Sequence, residues 1–220
     1  MELRARNPDL YLDADDIIDV THPEIQALAA VLARGHSDET SFARAAYEQV
    51  RDGVSHSLDA QDPRVTLVAS DVLRERVGLC YAKSHLLAAL LRAQGIPTGL
   101  CYQRLTDGEN TFVLHGLVAV YIRGRWHRQD ARGNKAGVDA QFRLDTEKLA
   151  WPADPTIGER DFPEVFVRPH PVVVAALSAA TDILDLCRGG LPTGLPAGIP
   201  AGVPTGGSAE SCRRGPPAEP

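Results

Sequence analysis

Three residues, Cys80, His115 and Asp130, carry the side chains needed for covalent acyl chemistry, in the chain order nucleophile, base, orienting group. Cys80 opens the helix-like run Gly78-Leu79-Cys80-Tyr81-Ala82-Lys83-Ser84-His85-Leu86-Leu87-Ala88-Ala89-Leu90-Leu91. His115 sits in an apolar, strand-like run, and Asp130 follows a Gly-containing turn. A helix start carries a partial positive charge that favours a thiolate over a thiol, and its unpaired N–H groups can face a developing oxyanion. A carboxylate beside the imidazole would fix its tautomer, so that one ring nitrogen faces the sulfur.

These groups must be positioned by elements the pattern also predicts. The Cys80 helix is rich in Leu and Ala, both strong helix formers. Ala82, Leu86, Ala89, Leu90 and Ala93 share one face, and Gly95 followed by Pro97 stops the run. No Ser, Thr, Asp or Asn stands between Arg76 and Cys80 to cap the first turn. Residues 98–105, 111–122 and 125–131 read as antiparallel strands, the last two joined at Arg123-Gly124. With a two- or four-residue loop there, Ile122 pairs with Arg125, Tyr121 with Trp126, and His115 falls opposite Arg132. Asp130 then lies diagonally from His115 on the same face. A three-residue loop would turn Asp130 to the other face, so the His–Asp contact is a register prediction.

The remaining elements are a short strand within 10–20, a helix from Pro23 to about Arg34, and a second helix capped by Ser37 or Asp38 that runs to about Asp52. Phe42, Ala46 and Val50 give that second helix its buried stripe. A short helix over 72–77, capped by Ser70 or Asp71, leads into the Cys80 region. Residues 136–160 read as loop, 162–167 as a strand and 171–187 as a final helix. From residue 189 onward, fifteen of 32 residues are Gly or Pro. They include the repeat Leu191-Pro192-Thr193-Gly194, Leu195-Pro196-Ala197-Gly198, Ile199-Pro200-Ala201-Gly202, Val203-Pro204-Thr205-Gly206. That composition predicts a disordered tail over 189–220 behind one domain over 1–188.

The 220 residues are 44% hydrophobic and only 5% aromatic, so a core of Leu, Val, Ile and Ala is expected. A net charge of −6, without a Lys/Arg cluster, argues against a nucleic-acid partner. The four cysteines, Cys80, Cys101, Cys187 and Cys212, form no CxxC pair. Reduced thiols in the cytoplasm are the expectation, with no signal peptide in the first residues and no membrane-spanning run. Cys101 reads as inert core, and Cys187 and Cys212 as incidental. His127 should point away from His115, and His85 should face away from Cys80 on the helix. His56 sits in a loop where it could line a pocket. Cys80, His115 and Asp130 lack the clustered spacing and fourth ligand of a zinc site.

Taken together, Gly78-Leu79-Cys80-Tyr81-Ala82, the helix closing at Gly95-Ile96-Pro97, His115 with Ala119-Val120-Tyr121, and Gly124-Arg125-Trp126 leading to Asp130 resemble the transglutaminase-like branch of the papain-type cysteine enzymes. Ala46 through Asp52 resembles the helix preceding the nucleophile in bacterial members. The resemblance spans roughly residues 40–135. It implies an α+β papain-like fold with the nucleophile helix packed on an antiparallel sheet. It also implies a Cys80–His115–Asp130 triad working through a thioester, on a peptide, protein or small amide, with no cofactor and no membrane partner. Hydrolysis is favoured over transamidation, since water is always present. Animal transglutaminases depend on calcium, but no EF-hand loop is present here. Family members draw a second oxyanion donor from an upstream Trp or Gln. Trp126 and Trp151 both follow Cys80, and Gln49 lies on a predicted helix, so that donor is unassigned. The rival readings are an arylamine-acetyltransferase-like enzyme and an inactive transglutaminase-like scaffold.

Overall fold

The computed structural model describes residues 1–108 and 111–196. Its centre is helix α5 (Cys80–Arg92), all thirteen residues of which are buried. Such a helix has no solvent face, so its polar side chains must find partners inside. Arg92 donates to the carbonyls of Asp13, Thr98 and Val167, tying three segments to the end of α5. Lys83 Nζ donates to the carbonyls of Arg51 (3.1 Å) and Val54, where an α-helix leaves its last carbonyls unpaired. His85 Nδ1 stands 2.8 Å from the carbonyl of Leu67.

Three helices pack around one side of α5: α1 (Pro23–Ala33), α2 (Glu39–Gly53) and α4 (Ala69–Glu75). Pro23 begins α1, and Asp38 caps α2 in a reciprocal pair with Ser41, as expected. A short parallel ladder joins β1 (Ser55–His56), which runs into the single turn α3 (Ser57–Ala60), to β2 (Val77–Gly78). On its other side α5 meets an antiparallel sheet of β3 (Thr98–Thr106), β4 (Phe112–Ile122), β5 (Arg125–Gln129) and β6 (Arg160–Asp161), in the order β5-β4-β3-β6. Alternation along β3 and β4 sends Leu100, Tyr102, Leu114, Val118 and Val120 to the main core. Cys101, Leu117 and Ala119 face a smaller cluster with Tyr11 and Val165. The architecture is the expected α+β fold, a buried helix on an antiparallel sheet.

Several expectations give way, some to local turns and caps and some to longer-range contacts. Residues 10–20 form no strand: Pro8–Tyr11 is a 3-10 turn, and the Asp15 carboxylate accepts the N–H groups of Ile17 and Ile18 at 2.8 and 2.7 Å, turning the chain. Helix α4 starts before residue 72, with neither Ser70 nor Asp71 as cap. Its first N–H groups go to distant partners, Ala69 to the Ile17 carbonyl (2.9 Å) and Ser70 to the Asp19 carboxylate (3.1 Å). Pro163 interrupts the strand expected over 162–167, leaving single bridges from Glu164 to Arg4 and from Phe166 to Leu100, while the paired residues of β6 lie just before it. The last helix is two, α6 (Pro171–Ala179) and α7 (Ile183–Cys187), because Asp182 caps a new start by accepting from Leu184 and Asp185. Leu191 and Leu195, from the start of the Pro/Gly-rich segment, pack against the main core. Residues 197–220, with Cys212, lie outside the described residues. Among the described residues no helix is long and apolar enough to cross a membrane.

Candidate active site

The β1–β2 ladder sets Cys80 at the head of α5. His56 pairs with Gly78, and Leu79 then takes the N-cap position with no side chain capping the helix. Gly78 must lack a side chain, since a Cβ there would lie 2.9 Å from both Ala82 Cβ and Thr66 Oγ1. The first turn of α5 also presses on β4: a Cβ at Gly116 would lie 2.7 Å from Tyr81 Cδ1 and 3.2 Å from Tyr81 Cα. That close approach brings Cys80 Sγ within 3.4 Å of the Gly116 amide, which donates to it. The sulfur is nearly covered, with the residue 8% exposed.

The hairpin has the predicted two-residue turn. Arg123 and Gly124 have φ of 55° and 78°, and the register pairs Ile122 with Arg125 and Tyr121 with Trp126. The ladder ends at Val118 opposite Gln129, so Arg132 does not pair with His115. Asp130 nevertheless reaches His115 from just beyond the strand. His115 Nε2 is 2.9 Å from Asp130 Oδ2. The same oxygen accepts the N–H of Ala150 (3.0 Å), Oδ1 accepts the N–H of Arg132 (3.1 Å), and Tyr47 OH donates to the Asp130 carbonyl (2.8 Å). Burial by itself would raise the Asp130 pKa, but the His115 charge and these hydrogen bonds outweigh it and hold the carboxyl below its ordinary range. An ionised carboxylate only accepts, so His115 Nε2 carries the proton and Nδ1 is left for the sulfur. Burial also pulls against charge on His115. Attraction to Asp130 and to the Cys80 sulfur, with hydrogen bonds to both, prevails and pushes its pKa up to about 10.

A cavity of about 460 Å³ opens over this group, and Cys80, His115, His56, Arg132, Trp151 and Leu191 line it. The Trp151 ring meets His115 edge-on with centroids 5.3 Å apart. Arg132, 4% exposed, pairs with Asp59 through both terminal nitrogens and lies 5.3 Å from the Trp151 ring centroid. His56 is held neutral, its pKa lowered to about 3 by burial and then by the Arg132 charge. A second cavity, about 620 Å³, lies by Trp126 and Arg143 and contains none of Cys80, His115 and Asp130.

Cys80, His115 and Asp130 therefore converge, and His56 lines their cavity from the end of β1, where a loop was expected. His127 turns to the Ile122 carbonyl, 3.2 Å away. Gln49 lines a separate cavity of about 130 Å³ with Leu28 and Gly53. Trp126 packs between Tyr11 and Tyr121. Cys101 is fully buried, and burial pushes its thiol up to about 12. Trp151, Arg132 and Leu191 were not expected at the site. They arrive on loops whose sequence carries no spacing signal toward Cys80. Among the described residues no cluster of three or more His, Cys, Asp or Glu side chains is arranged to hold a metal ion.

Residues 26–131 match the family model of the transglutaminase-like superfamily core. Similar solved structures include a candidate cysteine protease from Cytophaga hutchinsonii (23% identity, 56% of this chain and 40% of that one, TM-score 0.48). Others are a candidate protease from Parabacteroides distasonis (16%, 55% and 24%, 0.39) and the periplasmic domain of TgpA from Pseudomonas aeruginosa (23%, 55% and 45%, 0.42). The chain spans less than half the length of each of these. No curated protein matches it. From residue 26 to residue 131, just under half of the chain, the match takes in most of α1, α2, the head of α5 and the β4–β5 hairpin, and this segment is similar to the transglutaminase-like superfamily core.

Proposed function

We propose that the protein is a cysteine enzyme that cleaves an amide or peptide bond through a thioester. Cys80 is the nucleophile, His115 the proton carrier and Asp130 the group that orients it. The observation that carries this reading is the placing of Cys80 and His115 on the wall of one cavity, with a buried Asp130 2.9 Å from the imidazole. A raised His115 pKa favours an imidazolium at neutral pH, which is the form needed to protonate a leaving amine.

In the first step the sulfur attacks the carbonyl carbon, and a C–S bond forms as the C=O electrons move to oxygen. The Cys80 N–H, at a helix start with no side-chain cap, is the donor assigned to that oxygen. When the oxyanion collapses, the C–N bond breaks and His115 gives its proton to the departing nitrogen. Water then attacks the thioester. His115 takes the proton of that water, the C–S bond breaks, and the acid is released with the sulfur restored. Hydrolysis is the preferred outcome, and an amine in place of water would give transamidation. Peptides and small amides are the substrate class, and a reducing compartment such as the cytoplasm accords with free thiols at Cys80, Cys101 and Cys187.

The test is intact-mass detection of the acyl-enzyme across a panel of peptide, glutamine and small-amide substrates, with wild type beside Cys80→Ala and His115→Ala. The expected result is a mass adduct on wild type that Cys80→Ala lacks, with product turnover lost in both variants. A panel that leaves no adduct and gives equal turnover in all three proteins would favour a scaffold.

A further inference from the structure

β4 outruns its neighbour. β5 stops pairing at Val118, so beyond that point β4 turns alternate backbone groups toward an edge that no strand among the described residues occupies. Three partners fill that edge. The Gly116 N–H goes to Cys80 Sγ (3.4 Å), the Leu114 carbonyl takes Tyr81 OH, and the Leu114 N–H donates to the Pro192 carbonyl at 2.7 Å. The last of these is a main-chain bond from the residue before His115 to a segment far along the chain. Leu191 lines the cavity that holds Cys80 and His115, and Leu191 and Leu195 both pack against the main core.

From this we infer that the edge of β4 beside Cys80, where the Leu114 N–H is the main-chain donor that Cys80 and Tyr81 leave, is a seat for a peptide bearing an aliphatic–Pro step, and that the chain's own Leu191–Leu195 segment occupies it. The main-chain bond fixes the peptide's register, and the side-chain pocket supplies selectivity. Leu191 enters the pocket while Pro192 accepts from Leu114. Proline has no N–H to leave unpaired at this edge, and its fixed φ lowers the cost of ordering the segment. The repeat, which composition alone assigns to a linker, gains a role. Leu-Pro-Thr-Gly, Leu-Pro-Ala-Gly, Ile-Pro-Ala-Gly and Val-Pro-Thr-Gly present the same aliphatic–Pro pair in succession. A tethered segment acts at an effective concentration on the order of millimolar, so it competes with any free peptide of the same pattern. That this seat serves substrates rests on the cysteine-enzyme reading, whereas the identity of its occupant does not.

The experiment uses the full chain as wild type, Leu191→Asp and Leu195→Asp. Fluorescein-labelled Gly-Leu-Pro-Thr-Gly-Leu is the probe, and Gly-Asp-Pro-Thr-Gly-Asp is the control. Three quantities are read: exchange of the Leu114 amide, probe anisotropy, and the rate at which a bulky maleimide labels Cys80. In the variants the Leu114 amide should exchange about tenfold faster and Cys80 should label faster. Probe affinity should rise by about tenfold over wild type, with no binding of the control. A variant that does not fold, by circular dichroism, is set aside in favour of the other, and excess unlabelled probe added to that folded variant should slow its Cys80 labelling back toward the wild-type rate. Unchanged Leu114 exchange, or a variant with its tail released that binds the probe no better than the control, overturns the proposal. Probe binding without any acyl-enzyme would remove the enzymatic reading and leave the seat. Acyl-enzyme from small amides at equal rates in all three proteins, with no probe binding, would remove the seat and leave the enzyme.

Discussion

His115 Nε2 and Asp130 Oδ2 stand 2.9 Å apart at a place where the β4–β5 ladder has already ended. No strand pairing holds Asp130 there. The N–H groups of Arg132 and Ala150 grip its two oxygens, and Tyr47 holds its carbonyl. Alternation puts His115 on the same side of β4 as Leu117 and Ala119, away from α5. The Cys80 sulfur meets it by way of the open edge, and a longer β5 would close that route.

Asp130→Asn keeps the side-chain shape and removes an acceptor. However the amide is turned, its NH2 faces at least one of the N–H donors from His115, Ala150 and Arg132. Leaving such a donor unpaired costs about 1–3 kcal/mol in urea unfolding. Turnover should fall by roughly 10³-fold or more, because the imidazole loses its fixed tautomer. Steady-state kinetics and iodoacetamide labelling of Cys80 check this, and unchanged labelling would count against the role of Asp130.

His115 and Asp130 set opposite ends of a pH window. The His115 pKa rises on folding from 6.5 to about 10, so its stabilising contribution is complete below 6.5 and is lost as pH climbs toward 10. The Asp130 pKa falls below 3.8, so its contribution is complete above 3.8 and is lost as pH drops through the lowered value. Lys83 acts with the opposite sign: burial, then the Arg132 charge, lowers its pKa from 10.5 to about 7, and stability gains as pH rises between those values. The quantity to measure is therefore the difference in urea midpoint between wild type and His115→Gln. It should be largest from about pH 4 to 6.5 and shrink steadily above that.

Gly116→Ala places a methyl against the backbone and ring of Tyr81 at 3.2 and 2.7 Å. The first turn of α5 must move, at a cost of about 1–3 kcal/mol. Since the Gly116 N–H contacts the Cys80 sulfur, labelling of Cys80 should slow along with the loss of stability. Thermal unfolding and labelling rates, taken on the same samples, test both halves.

Tyr47→Phe removes one buried hydroxyl from the Asp130 carbonyl and leaves the carboxylate contacts intact. The expected loss is about 1 kcal/mol of stability, with Cys80 labelling within about threefold of wild type. A larger kinetic effect would show that Tyr47 positions the carboxylate as well as the backbone.

Local chemistry determined the parts of this protein whose cause lies within a few residues. Leu and Ala content and the Gly95 stop, at φ 72°, define α5, and the missing cap marks the exposed amides at its head. The Arg123-Gly124 turn, with positive φ at both positions, sets the hairpin register and so brings Asp130 toward His115. Two further local signals, the Asp15 carboxylate that turns the chain at Ile17 and Ile18 and Pro163 within 162–167, replaced the strands expected there. Tertiary contacts decided the rest. Asp19, fifty-one residues away, took over the capping of Ser70 in α4. Trp151 and Leu191 reached the cavity on loops, because each is held by what it packs against and not by its neighbours in sequence. Periodicity and caps report on bonds within one element. A cavity is made where elements end, and its walls are chosen by whichever distant side chains and carbonyls can satisfy one another there.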